Sequence, residues 1–191
     1  MTKNKNKIKF IISLLLTIAV MVTIFIMSAQ TKDESASTSG FFTKFLVKII
    51  YGDQTVTDEM FRGVSLLVRK TAHMTIFAVL FICAYNTVRS YIKTFKEEKI
   101  HKIFLAFPIA YIFAVFYACT DEFHQSFAGR GALFTDVITD SIGALIGAAL
   151  VYFIMMNNKM CELYREKRFV RSILILLGIL AIYTSVFVFL Y

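Results

Sequence analysis

The sequence predicts an all-α protein, a polytopic bundle of about five transmembrane helices with its N-terminus in the cytoplasm and its C-terminus outside. Hydrophobic residues make up 58% of its 191 residues, more than a soluble domain of this size carries. The chain has 20 phenylalanines and a single proline, which is typical of long helices in lipid. Its net charge of +8 comes from basic residues that flank apolar runs. This distribution favours membrane anchoring over nucleic-acid binding.

Five apolar segments are long enough to cross the hydrocarbon core, which takes about 20 helical residues. They cover about residues 8–28, 65–88, 103–120, 132–156 and 172–191. Four lysines lie at or just before the start of the first segment, so a signal peptide is an alternative. We expect an uncleaved anchor, because its apolar stretch is longer than that of a typical signal peptide. The third segment contains Pro108, which neighbouring helices can accommodate in a membrane.

Charged residues in the connecting segments predict the orientation of the bundle. Residues 1–9, 89–102 and 157–171 hold fourteen of the 21 Lys and Arg residues, and they fall on one side of a five-span topology. Cytoplasmic segments carry an excess of Lys and Arg, so this side is expected to be the cytoplasm.

The connection over residues 29–63 is the longest one on the outer side. Within it, residues 41–50 place Lys44 and Lys48 on one helical face and bulky apolar residues on the other. This pattern is typical of a helix that lies in the membrane interface. A loop helix that caps the bundle is the alternative.

Three charged blocks map to the outer side, one in each of the second, third and fourth spans. Polar groups at membrane depth usually face the interior of a bundle and pair with each other. We therefore expect three helices to converge on one polar pocket that opens outward. The candidate ligand-binding residues are Arg69, Lys70, Gln125, Arg130, Asp136 and Asp140, and the candidate catalytic residues are His73, Asp121 and Glu122.

Spacing supports this convergence. Arg69 and His73 lie four residues apart and share a helical face, and Asp121 shares a face with Gln125. In the fourth span, Asp136 and Asp140 continue into Gly143 and Gly147 along one stripe. Glycines at this spacing allow another helix to approach closely.

Each block also has a purely structural interpretation. Arg69 and Lys70 could be interfacial anchors, and His73 could be a core histidine with satisfied hydrogen bonds. The acidic group that begins at Asp121 could be a solvated helix end. Asp136 and Asp140 could pair with Arg69 and Arg130, which would hold the bundle together without chemistry. The three cysteines, Cys83, Cys119 and Cys161, are expected to be small core residues, since their spacing suits neither a disulfide framework nor a metal site.

The three blocks, residues 69–73, 120–130 and 136–147, resemble the VanZ-like membrane protein family. The family pattern is loosely R/K-K-x-x-H, then D-E-x-x-Q-x-F-x-x-x-R, then D-x-x-x-N-x-x-G-x-x-x-G. Residues 27–30, Met-Ser-Ala-Gln, also fit a Ser-x-Gln often found after the first span. Three features depart from the pattern: Asp140 stands where Asn is common, His124 is an addition, and Ala128-Gly129 replaces Pro-Gly.

The resemblance implies a role at the cell envelope of Gram-positive bacteria. The namesake of the family is associated with antibiotic resistance to teicoplanin, a glycopeptide with a lipid tail. The partners implied are membrane lipids and, further, a lipid-linked cell-wall precursor or a lipoglycopeptide. We expect no nucleic acid, no cofactor and no bound metal, and the oligomeric state stays open.

Two classes of function remain. One is a non-catalytic protein that binds an anionic lipid or precursor head group through its arginines, which we favour. The other is a membrane-embedded hydrolase or transferase, with His73 as base, Asp121 orienting it and Glu122 as acid. A divalent metal on His73, the two span-four aspartates and Asp121 is conceivable, although no HExxH-like spacing supports it. The candidate nucleophiles are Ser28, Thr120 and Ser126, none of them in a known nucleophile motif.

Overall fold

A computed structural model describes residues 2–30, 32–52, 56–95, 105–127 and 134–158 of the chain. These residues form five helices: α1 (Thr2–Ser28), α2 (Lys32–Tyr51), α3 (Asp58–Phe95), α4 (Ala106–Phe127) and α5 (Phe134–Asn158). The described residues contain no strand, which confirms the all-helical fold class.

Four of these helices, α1, α3, α4 and α5, are long and apolar enough to cross a membrane. The fifth span predicted over residues 172–191, as well as Arg130 and Cys161, lies outside the described residues. With 38 residues, α3 is about 57 Å long, well beyond the roughly 30 Å thickness of a hydrocarbon core. Helix α2 contains the segment 41–50 and is not among the candidate spans.

Apolar side chains cover the outside of the bundle as well as filling its core. Ile8, Leu15 and Ile112 are more than half exposed on the outside of the bundle. Ser28 and Asp140 are fully buried inside it, and Asp140 has no exposed surface. This arrangement suits a lipid environment, because lipid covers apolar side chains while polar groups must find partners within the protein.

Helix α3 is the central element, since α1, α2, α4 and α5 all pack against it. Small residues make these contacts close. Helix α4 carries an alanine at every fourth position, all without exposed surface: Ala106, Ala110, Ala114 and Ala118. A hydrogen bond of 3.0 Å between the hydroxyls of Thr17 and Thr87 also joins α1 to α3. Small side chains and interhelical hydrogen bonds are what hold helices together when lipid surrounds them.

Helix ends follow local sequence signals. The Thr57 hydroxyl accepts a hydrogen bond from the Met60 amide, which caps the start of α3. Gly52 takes a positive φ of 59° after α2, and its amide bonds to the Lys48 carbonyl at 3.0 Å. Pro108 lies in the first turn of α4, where its missing N–H breaks no helical hydrogen bond. No neighbouring helix therefore has to replace a backbone hydrogen bond at Pro108.

Candidate functional site

Three helices each contribute one side chain to a compact group at the same end of the bundle. One ligand-type atom each of His73 on α3, Asp121 on α4 and Asp140 on α5 lies within 4.8 Å of the other two. We call these three residues the polar cluster. Asp121 is 4% exposed and Asp140 has no exposed surface, whereas His73 is partly exposed.

The close approach of α5 to α3 brings Asp140 beside His73. A Cβ atom built on Gly143 would lie 2.7 Å from the Met74 Cα, and one built on Gly147 would lie 3.0 Å from the Ala78 Cα. Only glycine fits against backbone at these distances. One turn before Gly143, Asp140 Oδ1 lies 3.6 Å from His73 Nδ1. The two glycines therefore position the deepest part of the site.

Asp121 is held by two hydrogen bonds from neighbouring side chains. The Ser28 hydroxyl at the end of α1 donates to Asp121 Oδ1, and Gln125 Nε2, one turn along α4, donates to Oδ2 at 2.9 Å. Ser28 and Gln125 are themselves buried. Donors on both oxygens fix the orientation of the carboxylate. The end of α1 is thus a fourth contributor to the site.

The basic residues of α3 pair differently from the expectation. Lys70 Nζ lies 3.6 Å from Asp136 Oδ1, and both side chains are partly exposed. Arg69 forms no ion pair with a carboxylate of the described residues, so the expected pairing of Arg69 with Asp136 or Asp140 is wrong. The reason is rotational, since adjacent residues on a helix point about 100° apart and α3 turns Lys70 and His73 toward α5. The other expected partner, Arg130, lies outside the described residues.

Asp140 is the least satisfied group of the site. Neither of its carboxylate oxygens has a hydrogen-bond donor in range among the described residues. A buried carboxylate in this state is costly unless a proton or a cation compensates it. In the VanZ-like pattern, Asn is common at position 140. The aspartate that this sequence carries there is fully buried.

Of the other residues in the charged block that begins at position 120, some are buried and others lie at the edge of the site. Glu122 is buried at 4% exposure, as are Asp121 and Gln125, so this block is not the solvated helix end that was considered. His124 stacks on Phe25 of α1, with ring centroids 4.2 Å apart, and is not a member of the polar cluster.

The three candidate nucleophiles occupy different surroundings. Thr120 donates to the Tyr117 carbonyl at 2.7 Å and Ser126 to the Phe123 carbonyl at 2.6 Å, and both are exposed. Only Ser28 of these three lies at the polar cluster. Cys83 is partly buried and Cys119 is exposed, so the expectation of small core cysteines does not describe Cys119.

An apolar groove of about 850 Å³ runs along the side of the bundle between α1, α2 and α3. Its lining includes Val20, Leu46 and Val79. A second, narrow cavity of about 10 Å³ borders His73 and shares Ala72 and Ile76 with the groove. We call this cavity the gap. The gap thus lies beside the groove and is bordered by one residue of the polar cluster, His73.

A family model described as VanZ/LLP1 matches residues 13–156 of the chain. The chain belongs to the VanZ/LLP1 family. This match confirms the resemblance to VanZ-like proteins, and it spans every charged block and both glycines. No curated protein and no solved structure matches the chain. Together with its four long apolar helices, family membership makes the chain a VanZ-like membrane protein.

Two features of this VanZ/LLP1 protein were not predicted from its sequence. The bond from Ser28 to Asp121 joins residues 93 positions apart, and only the Ser-x-Gln of the family pattern hinted at it. The second is the alanine stripe of α4, which could have been predicted because its spacing is visible in the sequence. Its four-residue spacing leads from Ala118 through Asp121 to Gln125 on one face, which predicts burial for all of them.

Proposed function

We propose that this VanZ/LLP1-family protein spans the cell membrane several times and binds an anionic lipid, or a lipid-linked cell-wall precursor, by its head group. Binding takes place in an outward-facing polar pocket built around the polar cluster. Family membership suggests the setting, which is the outer face of a Gram-positive cell envelope with a link to teicoplanin resistance. The observation that carries the proposal is the apolar groove that adjoins the polar cluster through the gap.

The dimensions and lining of the groove support a lipid tail as its occupant. Its volume of about 850 Å³ falls within the roughly 300–1,000 Å³ typical of small-molecule sites. The lining is almost entirely apolar, and the hydroxyls of Thr71 and Thr75 bond to carbonyls of their own helix. A hydrocarbon chain satisfies such a surface and needs no hydrogen bonds from it.

Basic side chains support an anionic head group. Arg69, Lys70 and His73 lie within two turns of α3, on the segment that also lines the groove and the gap. Arg69 has no carboxylate partner among the described residues, so its guanidinium is available to a phosphate or carboxylate of the ligand. Guanidinium groups bind such anions through two parallel hydrogen bonds.

Quantitative lipid analysis of the purified full-length protein tests this proposal. Thr71→Phe fills the groove from an exposed position, so we expect it to remove the co-purifying lipid without unfolding the protein. Arg69→Gln should leave the tail site intact and shift the bound lipids from anionic to neutral species. Ile112→Phe, an exposed change on the distant helix α4, is the matched control and should retain the wild-type lipids.

Equal lipid content in Thr71→Phe, Ile112→Phe and the wild type would overturn the proposal. A cellular readout complements this result. If the family setting holds, expression of the wild type should raise teicoplanin tolerance and the Thr71→Phe variant should not.

A second candidate function is a membrane enzyme that acts on a lipid-linked envelope substrate. It is favoured by the proximity of the His73 imidazole to Asp121, whose other contacts include the Ser28 hydroxyl. An imidazole near an oriented carboxylate is a common general base. On this hypothesis, a strain lacking the protein accumulates an unprocessed precursor. Expression of the His124→Ala variant in that strain should restore precursor processing, whereas expression of the His73→Ala variant should not. Restoration by His73→Ala would exclude His73 as the base.

A further inference from the structure

We propose that the polar cluster is a binding site for one divalent metal ion, held by His73, Asp121 and Asp140. The three residues come from three helices, and one donor atom of each lies within 4.8 Å of the others. The site is independent of the proposed lipid function, since an ion can bind whether or not a lipid occupies the groove.

The distances are close to those of a metal centre. Donors around Zn²⁺ lie about 2.0–2.2 Å from the ion, which places them about 3.0–3.5 Å from one another. The His73–Asp140 pair is already at 3.6 Å between Nδ1 and Oδ1. The separations among all three donors, at most 4.8 Å, are within about 1–2 Å of the spacing around a bound ion.

Burial supplies an independent reason for a cation. Asp140 has no exposed surface, and both of its oxygens are without a hydrogen-bond donor among the described residues. Asp121, also buried, lies beside it. Two ionised carboxylates at this depth repel each other, and a divalent ion compensates both charges at once.

The surrounding residues complete the arrangement expected around a metal. Ser28 and Gln125 donate hydrogen bonds to Asp121 and thereby orient it, as neighbours of metal ligands commonly do. Asp136, the other acid of α5, lies near Lys70 and has its charge compensated there. The donor set is therefore one imidazole and two carboxylates, without Asp136.

This donor set indicates the class of metal. Mg²⁺ and Ca²⁺ prefer oxygen ligands alone, whereas imidazole with carboxylates suits Zn²⁺, Mn²⁺ or Fe²⁺. Three protein ligands leave coordination positions open for water or for an oxygen of a bound ligand. The inferred ion is therefore a divalent transition metal with coordination positions that the protein leaves open.

Metal analysis and thermal unfolding of the purified full-length protein test the inference. After chelator treatment and detergent exchange, addition of Zn²⁺ or Mn²⁺ alone should raise the Tm, because an ion that binds only the folded state stabilises it. Elemental analysis should then find one ion per chain. Asp140→Asn and His73→Ala should lose both the ion and the rise in Tm. Asp136→Asn and His124→Ala are matched controls, and both should keep the bound ion and the rise in Tm.

The inference is overturned if the wild type shows neither a bound ion nor a rise in Tm. It is also overturned if Asp136→Asn loses the ion as fully as Asp140→Asn does. His73→Ala keeps the test decisive if Asp140→Asn fails to fold, since His73 is partly exposed and its truncation leaves both carboxylates in place.

Discussion

Gly143 on α5 lies directly against the backbone of Met74 on α3, closer than any residue with a side chain could approach. A Cβ atom at position 143 would lie 2.7 Å from the Met74 Cα and 2.9 Å from its carbonyl carbon. The next residue toward the N-terminus of α3 is His73, and the residue one turn before Gly143 is Asp140. The contact between two backbones thus determines the distance between an imidazole and a buried carboxylate.

Gly143→Ala should therefore separate the two helices. Because the obstructing atoms are backbone, we expect a destabilisation of about 1–3 kcal/mol, measured as thermal or denaturant unfolding in detergent. Gly63→Ala is the matched control on α3, where an added Cβ meets nothing within 4 Å. This control should be neutral or more stable by up to about 1 kcal/mol, since alanine favours helix over glycine. Equal effects of the two substitutions would contradict the close contact.

The pairing of Lys70 with Asp136 predicts a specific energetic coupling. In a double-mutant cycle, Lys70→Met and Asp136→Asn should couple by about 0.5–1 kcal/mol, the scale of a partly exposed ion pair. Arg69→Gln with Asp136→Asn should be additive, since these side chains form no ion pair. Unfolding free energies of the five proteins and the wild type provide the measurement. Coupling of Arg69 instead of Lys70 would show that α3 is rotated differently about its axis.

Ser28 should contribute to stability through Asp121. Ser28→Ala removes a donor from a buried carboxylate, which typically costs about 1–3 kcal/mol. Ser126→Ala is the control, because that hydroxyl is exposed and bonds only to the Phe123 carbonyl of its own helix. We expect a lower Tm for Ser28→Ala and almost no change for Ser126→Ala. An unchanged Tm in both would mean that water replaces the Ser28 hydroxyl at no cost.

The orientation of the bundle remains a prediction from charge. Because most Lys and Arg residues fall on one side, a reporter inserted after Gly52 should read as extracytoplasmic and one inserted near Glu97 as cytoplasmic. A reporter fused after Tyr191 should also read as extracytoplasmic if residues 172–191 form a span. A cytoplasmic reading at Tyr191 with the other two unchanged would remove that span from the topology.

Much of the fold could be predicted because lipid imposes simple rules on sequence. A bilayer requires long apolar helices, so segment length and composition were enough to locate α1, α3, α4 and α5. The ends of the helices were predicted less accurately than their positions. The third span was expected to end near residue 120, whereas α4 continues to Phe127, and Asp121, Glu122 and Gln125 of its last turns are buried.

For the site, helical periodicity grouped residues correctly within each helix. Asp121 and Gln125 were expected on one face and are joined by a hydrogen bond of 2.9 Å. Helical periodicity does not predict which side chains of different helices contact each other. Ser28 was considered as a nucleophile and as part of the Ser-x-Gln motif, and its contact with Asp121 depends on where α1 ends relative to α4.

By itself, the sequence determined that polar groups of several helices must meet inside an apolar bundle, because ionisable residues cannot remain exposed to lipid. It also determined, through Gly143 and Gly147, which face of α5 could approach another helix. Only the tertiary structure decided that Lys70 faces Asp136, that His73 faces Asp140, and that Arg69 faces neither. The physical reason is that such pairings depend on the rotation and axial offset of one packed helix against another. Those two quantities arise from contacts of the whole bundle, here the backbone contact of Gly143 with Met74, and no local pattern encodes them.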